Sequence, residues 1–115
     1  MNTLTYIAIG IIALIILKRL FRGGKMASSI VKQKLESGAL IVDVRTPDEF
    51  HDGAYPGAKN IPLSDLGRRL AEIPKDMPVV LYCASGARSS SAARAMKQAG
   101  YADVINAGGL ADMPR

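Results

Sequence analysis

The segment CASGARS, residues 83–89, contains the only cysteine of the 115-residue chain. A free thiol has a pKa of about 8.5, and a helix N-terminus or a nearby arginine lowers that pKa, which increases the fraction of nucleophilic thiolate at neutral pH. Gly86 allows the backbone to turn closely around the sulfur, and Arg88 brings a fixed cation. Three serine hydroxyls in or beside the segment can donate hydrogen bonds: Ser85, Ser89 and Ser90. This combination predicts a reactive Cys83, whereas a strand-end cysteine considered alone is more typical of buried packing.

A strand must precede this segment and a helix must follow it. Residues 78–82 form an apolar run that is typical of a strand, and the alanine-rich residues 88–98 are typical of a helix that ends at Gly100. A strand that turns directly into a helix points the N–H groups of the turn and the positive end of the helix dipole at one spot. Open α/β sheets bind ligands at this carboxyl edge. We therefore expect the Cys83 sulfur to lie at the ligand-binding edge of a sheet.

Strands and helices alternate along the rest of the chain. We predict further strands at residues 39–44, 59–61 and 103–105, with helices that start near Ser28 and Ser64. The sequence TPDE at residues 46–49 is a capping-box start for another helix, with proline at its first position. This alternation predicts an α/β domain over residues 28–115, in which helices flank a central parallel sheet.

The N-terminal run is apolar and carries no charge for 17 residues. As a helix it would be about 25 Å long, near the ~27–30 Å thickness of a hydrocarbon core. We therefore predict one transmembrane helix at residues 1–21, followed by a linker at residues 22–27. A cleavable signal peptide is one alternative, but basic residues follow the run instead of preceding it. A buried or interfacial helix is the other alternative.

The basic residues are concentrated beside this run. Six of the fifteen lie between residues 18 and 34, and no acidic residue precedes Glu36, so residues 35–115 hold nine bases and ten acids. The positive-inside rule then predicts an outside N-terminus, a cytoplasmic domain and the lipid bilayer as a partner. Because these basic residues flank an apolar helix, they argue against a nucleic-acid partner. With one cysteine and one histidine in the chain, we predict no internal disulfide, no metal site and no cofactor.

CASGARS and three other segments resemble the rhodanese family of sulfurtransferases. These segments are DVRTPDEF (43–50), GAYPGAKNIPL (53–63) and GYADVINAGG (100–109), and they occur in the order found in the family. The resemblance extends over residues 28–113 and implies a small α/β domain with a central parallel sheet. It also implies sulfurtransferase activity, with a thiol or another nucleophile as the acceptor of the sulfur.

The resemblance further implies roles for individual residues. Cys83 would take up a sulfane sulfur as a persulfide and pass it to the acceptor. Backbone amides of the following residues would cradle the terminal sulfur: Ala84, Ser85, Gly86, Ala87, Arg88 and Ser89. Arg88 would also steer a small anionic donor such as thiosulfate, or a persulfide donor. Asp43 and Arg45 would line the site and support the loop, and a purely structural ion pair is the alternative for them.

Two positions depart from the family pattern. Ala54 stands where many members have histidine, and the tryptophan common in the terminal helix is missing near Met113. Arg88 is the only fixed charge of the loop, and a loop with more cations would suit thiosulfate better. The loop therefore does not decide between thiosulfate and a persulfide as the donor.

The spacing within the loop separates sulfur transfer from a second chemistry. Cysteine phosphatases and arsenate reductases resemble this chain in fold but place five residues between cysteine and arginine, whereas four lie between Cys83 and Arg88. The tighter loop favours a single sulfur atom over a tetrahedral oxyanion. A non-enzymatic binding or scaffold module on the same fold is the remaining alternative.

Overall fold

The computed structural model describes residues 2–21 and 25–115. The helices in this part of the chain are α1 (Thr3–Phe21), α2 (Ser28–Glu36), α3 (Pro47–His51), α4 (Leu66–Arg69) and α5 (Ala87–Gln98). The strands are β1 (Leu40–Asp43), β2 (Lys59–Asn60), β3 (Val79–Cys83) and β4 (Val104–Gly109). Short 3-10 turns cover Leu63–Asp65, Leu70–Glu72 and Leu110–Asp112.

The strands form one parallel sheet in the order β2-β1-β3-β4. β1 and β3 are the central pair, and their register runs from Leu40 opposite Val79 to Asp43 opposite Tyr82. Because the two strands are parallel, their carboxyl ends lie at the same edge of the sheet, which brings Asp43 close to Cys83. The predicted α/β fold, with helices around a central parallel sheet, is confirmed.

Both faces of the sheet are covered, which explains why the central strands are apolar along their whole length. Every residue of β3 is buried, and successive side chains point to opposite faces. Leu81 and Cys83 pack in the cluster that contains Ala92 and Met96 of α5. The other face contacts α2, and its buried members include Val31, Val80 and Tyr82. Cys83 therefore has a packed core on one side and the start of α5 above it.

The capping box predicted at residues 46–49 is present at the start of α3. The Glu49 N–H donates to Thr46 Oγ1 at 3.3 Å, and the Thr46 N–H donates to Glu49 Oε1 at 3.2 Å. Pro47 occupies the first helical position, where its missing N–H costs no hydrogen bond. These local bonds place Glu49 beside the end of β1.

The apolar N-terminal run forms α1, but it does not confirm the membrane prediction. In the described part of the chain, no helix combines the length and the apolar character that crossing a membrane requires. The uncharged residues 3–17 of α1 would span only about 22 Å, and charged residues follow directly in the sequence, whereas a hydrocarbon core is ~27–30 Å thick. The predicted single-pass topology, with an outside N-terminus and a cytoplasmic domain, is therefore wrong, and the predicted bilayer partner is not supported.

The predicted linker lies partly outside the described residues, since 22–24 are not described. Just after them, the Met26 N–H donates to the Asn106 carbonyl at 2.8 Å, and Lys25 Nζ donates to Asp112 Oδ1 at 2.8 Å. These contacts attach residues 25 and 26 to β4 and to the turn that follows it. The domain start at residue 28 stays a prediction.

β4 is longer than the predicted strand at 103–105, because it includes the glycine pair Gly108 and Gly109. A bulge between Leu81 and Cys83 brings Gly109 opposite Cys83. The backbone at Gly109 approaches the Ala84 carbonyl so closely that a Cβ at residue 109 would overlap the carbonyl oxygen. Gly109 therefore allows the last strand to pack directly against the cysteine loop, although glycine is weak as a strand former.

Candidate active site

Cys83 is the last residue of β3 and is 1% exposed. The chain then turns to Gly86, whose φ of 104° is a left-handed conformation that glycine adopts without steric cost. This turn directs the Gly86 N–H at Cys83 Sγ, with an N···S distance of 2.9 Å. Ser89 Oγ, from the first turn of α5, lies 3.4 Å from the same sulfur. The thiol therefore lies at the N-terminus of a helix with several donors around it.

These donors decide the ionisation of Cys83. Burial is the largest single influence and acts to raise the pKa of the thiol, because a charged sulfur loses its hydration. Hydrogen bonds from the Ser89 hydroxyl and from the backbone N–H groups of Ser89, Gly86 and Ser85 act in the opposite direction. Together they outweigh burial, so the pKa of Cys83 lies below its ordinary value. The loop thus favours the nucleophilic thiolate at a buried position.

Ser89 and Asn106 connect the cysteine loop with β4. Ser89 is fully buried, and its one hydroxyl proton can be donated to Asn106 Oδ1 at 2.6 Å or to Cys83 Sγ at 3.4 Å. Asn106 Oδ1 also accepts from the Gly108 N–H at 2.9 Å, and Asn106 Nδ2 donates to the Gly86 carbonyl at 3.2 Å. A single buried amide therefore contacts Ser89, Gly86 and Gly108. The positions of two donors to the sulfur depend on it.

Arg88 does not point freely into the loop. Its two terminal nitrogens donate to the two carboxylate oxygens of Glu49, at 2.6 Å for Nη1–Oε1 and 3.0 Å for Nη2–Oε2. This fork-to-fork geometry is the strongest form of an arginine–carboxylate contact. Arg88, with help from Thr46, lowers the pKa of Glu49 to about 2. The pair joins the start of α5 to α3, and the charge of Arg88 is matched by a carboxylate.

Asp43 and Arg45 form a second, more deeply buried pair. Arg45 Nη2 lies 2.7 Å from Asp43 Oδ2, and the side chains are 8% and 0% exposed. The Arg45 N–H also donates to Asp43 Oδ1 at 2.8 Å, and Arg45 Nη2 donates to the Gly53 carbonyl at 2.7 Å. The Asp43 hydrogen bond is the main reason that the pKa of Arg45 is raised. This pair ties the end of β1 to the segment that begins at Gly53.

The other residues singled out in the sequence lie around the cysteine turn. Ala84, Ser85 and Ala87 are exposed at the surface of the loop. Ala54 and Met113, at the two positions that depart from the family pattern, both line an open pocket that also contacts Ala84. The structure therefore brings all the predicted site residues to one edge of the sheet.

Sequence reasoning missed two residues of this site. Glu49 was assigned only to the helix cap. The one available signal for its second role is Arg88, because an arginine at the start of a helix often has a carboxylate partner. Asn106 was assigned no role. The sequence does contain a signal for it. Asn106 is a polar residue between apolar residues 104–105 and 107, in a segment that ends in two glycines. A buried amide in such a segment is expected to be hydrogen-bonded.

We predict that Ser89→Ala raises the pKa of the Cys83 thiol. The substitution removes the side-chain donor to Sγ while the desolvation of the sulfur stays, so a smaller fraction is thiolate at a given pH. The measurement is a titration of thiolate ultraviolet absorbance, which reports on Cys83 alone because the chain has one cysteine. Ser91→Ala, also on α5 but bonded to Arg94, is the matched control and should leave the midpoint in place. An unchanged midpoint in Ser89→Ala would contradict the assignment.

Comparison with known families identifies the domain. The sequence pattern of the rhodanese-like domain matches residues 28–112. A sulfurtransferase of Allochromatium vinosum is 48% identical over 67 residues, which cover 58% of this chain and 63% of that protein. The thiosulfate sulfurtransferase PspE of Escherichia coli is 39% identical over 74 residues, which cover 63% of this chain and 71% of that protein. The first of these relatives thus extends well beyond the matched segment.

A solved structure gives the same result for the fold. A rhodanese from E. coli, determined with anions, superposes with a TM-score of 0.62 at 38% identity, over 66% of this chain and 94% of that one. The predicted enzyme class, a rhodanese-type sulfurtransferase, is confirmed at the level of the family. With its parallel sheet, its cysteine at the carboxyl edge and a sequence match over most of its length, the chain belongs to the rhodanese-like domain family.

Proposed function

We propose that this protein transfers a sulfane sulfur from a donor to a thiol through a persulfide on Cys83. The observation that carries the proposal is the position of the Cys83 sulfur at the N-terminus of α5, where the Gly86 N–H and the Ser89 hydroxyl donate to it. Family membership and the names of the relatives support sulfur transfer in general. The persulfide step and the residue roles are our assignment.

In the first half-reaction the Cys83 thiolate attacks the outer sulfur of the donor. A Cys83 S–S bond forms, the donor's own bond to that sulfur breaks, and the donor leaves with the bonding electron pair. In the second half-reaction a thiolate acceptor attacks the outer sulfur of the persulfide, and Cys83 leaves as thiolate. The hydrogen bonds that lower the pKa of the Cys83 thiol also make it a better leaving group.

The backbone of the loop supports the intermediate. The amides of residues 84–89 surround the turn, and a terminal persulfide sulfur, which is negative at neutral pH, would accept hydrogen bonds from them. Asp43 and Arg45 support the neighbouring loop through their buried pair. We assign Arg88 to joining the loop to α3, since both its terminal nitrogens donate to Glu49. That contact also leaves the phosphatase alternative without the arginine that it needs on a bound oxyanion.

The test is the intact mass of the full chain after incubation with thiosulfate or an organic persulfide. We expect the chain to gain the mass of one sulfur atom, to lose it on addition of a thiol, and to show the added sulfur in the peptide that contains Cys83. Failure of every donor to add sulfur would refute the proposed function. Addition of sulfur outside the Cys83 peptide would refute the mechanism.

A further inference from the structure

An open pocket lies directly beside the cysteine loop. Its volume is about 840 Å³, and Ala84, the residue after Cys83, forms part of its wall. We propose that this pocket binds the apolar organic group of a persulfide donor, R–S–SH, so that organic persulfides react in preference to thiosulfate. The inference rests on the proposed function, because it names the donor class for the same cysteine.

Two segments form the walls of the pocket. One wall contains Ala54, Tyr55 and Pro56, and the other contains Leu110, Ala111 and Met113. Apolar surface therefore predominates on both sides. Pockets of ~300–1,000 Å³ with apolar walls and a few polar groups are typical of organic ligands. A thiosulfate ion would fill only a small part of this space.

The walls are held in place by hydrogen bonds. Tyr55 Oη donates to the Pro114 carbonyl at 2.6 Å, which joins the two walls directly. The Tyr55 N–H donates to Tyr82 Oη at 2.9 Å, and Tyr82 is fully buried in β3. On the other side, Asp112 Oδ2 accepts from the Gly109 N–H at 2.8 Å and so orders the turn at Leu110–Asp112. Hydrogen bonds within the protein thus hold both walls of the pocket in place.

Small side chains leave room in the pocket beside the cysteine loop. Alanines occupy three positions around the pocket, Ala54, Ala84 and Ala111. A larger side chain at any of them would take up part of the pocket volume. The histidine that many related domains have at the position of Ala54 would therefore narrow the pocket, and alanine leaves it open.

The charges around the site do not favour a dianion. Arg45 lines the pocket but pairs with Asp43, and Arg88 of the loop pairs with Glu49. Each guanidinium is therefore matched by a carboxylate, which weakens its attraction for a second anion. Arg115 is also part of the lining, but it is exposed to solvent, where water and salt screen its charge. Thiosulfate carries two negative charges, whereas an organic persulfide carries at most one.

The reaction is balanced without a further reagent. The Cys83 thiolate attacks the outer sulfur of R–S–SH, the Cys83–S bond forms, and the R–S bond to that sulfur breaks. The products are the Cys83 persulfide, which keeps the proton, and the thiolate R–S⁻, which takes the bonding pair. The organic group occupies the pocket before and after the step. An apolar thiol can therefore also bind in the pocket and accept the outer sulfur of the Cys83 persulfide, which is the reverse of this step.

The test compares benzyl persulfide with methyl persulfide as donors to the full-length chain. The kcat/KM of Cys83 persulfide formation is measured by mass and divided by the rate of each donor with free cysteine, which removes intrinsic reactivity. We expect the normalised kcat/KM for benzyl persulfide to exceed that for methyl persulfide by at least ~10-fold, because apolar pockets discriminate by such factors when a substrate gains an apolar group. Normalised in the same way, thiosulfate should be the slowest of the three donors.

Matched variants test whether the pocket causes the preference for benzyl persulfide. Ala111→Phe fills the pocket and should bring the benzyl-to-methyl ratio close to one, whereas Ala95→Phe, an equal change at an exposed position of α5, should keep the ratio. If circular dichroism shows that Ala111→Phe does not fold, Ala54→Leu on the other wall replaces it. Equal normalised rates, or a ratio that neither pocket variant lowers, would overturn this inference alone. Failure of all donors to load Cys83 would overturn the proposed function itself.

Discussion

Replacing Cys83 by serine is expected to reduce the rate of sulfur transfer by ~10³-fold or more, the loss typical when a covalent nucleophile is removed. A serine hydroxyl is not ionised near neutral pH, and it cannot form or release an S–S bond. The measurement is the steady-state rate of sulfur transfer from a persulfide donor to a thiol. No gain of sulfur mass should occur in this variant.

The fold should survive this change, because serine can still accept the Gly86 N–H bond and is slightly smaller than cysteine. We expect a loss of about 1–2 kcal/mol in the free energy of unfolding, from placing a hydroxyl at a buried position. A double variant, Cys83→Ser with Ala95→Cys, returns one thiol to an exposed site and should stay inactive. Transfer by Cys83→Ser at more than a tenth of the original rate would show that another group carries the sulfur.

Asp43→Ala is expected to lower the free energy of unfolding by about 3–5 kcal/mol, the usual cost of removing one partner of a buried ion pair. The carboxylate is fully buried and receives the Arg45 N–H and guanidinium, so its removal leaves a buried cation without a counter-charge. Urea unfolding followed by circular dichroism measures the loss. Because a whole domain is stable by only about 5–15 kcal/mol, a large part of its stability is at risk.

Two controls separate the buried pair from ion pairs in general. Asp43→Asn keeps an acceptor for the Arg45 N–H and should lose less stability than Asp43→Ala. Asp103→Ala breaks the Lys34–Asp103 pair, whose side chains are 32% and 42% exposed, and should cost about 1 kcal/mol or less. Equal losses in Asp43→Ala and Asp103→Ala would mean that Asp43 and Arg45 do not support the fold as the geometry indicates.

Local sequence signals were sufficient for the fold and for the centre of the site. The strand before Cys83, the turn at Gly86 and the helix after it follow from short-range patterns, and each has the predicted place. The capping box at residues 46–49 is also local, since all its bonds join residues three positions apart. Parallel pairing then follows from the alternation of strands and helices.

The prediction of a transmembrane helix at residues 1–21 was wrong. The span was predicted from the apolar composition of the run and from a length of 17 uncharged residues counted from Met1. The length of the uncharged helix is the quantity that decides, and residues 3–17 are too few. The predicted last strand at 103–105 likewise stopped short of the glycines, although the missing side chain of Gly109 allows the close approach of β4 to Ala84.

The amino-acid sequence by itself determined the place of Cys83 between a strand and a helix and the family, and it predicted Cys83 as the nucleophile. These depend on residue types a few positions apart, where the geometry of the backbone is nearly fixed. Only the tertiary structure decided that Arg88 pairs with Glu49, that Asn106 links Ser89 to Gly86, and that two distant segments form a pocket. Those contacts join residues 17 to 59 positions apart. Their formation depends on how the strands and helices pack, which no local pattern specifies.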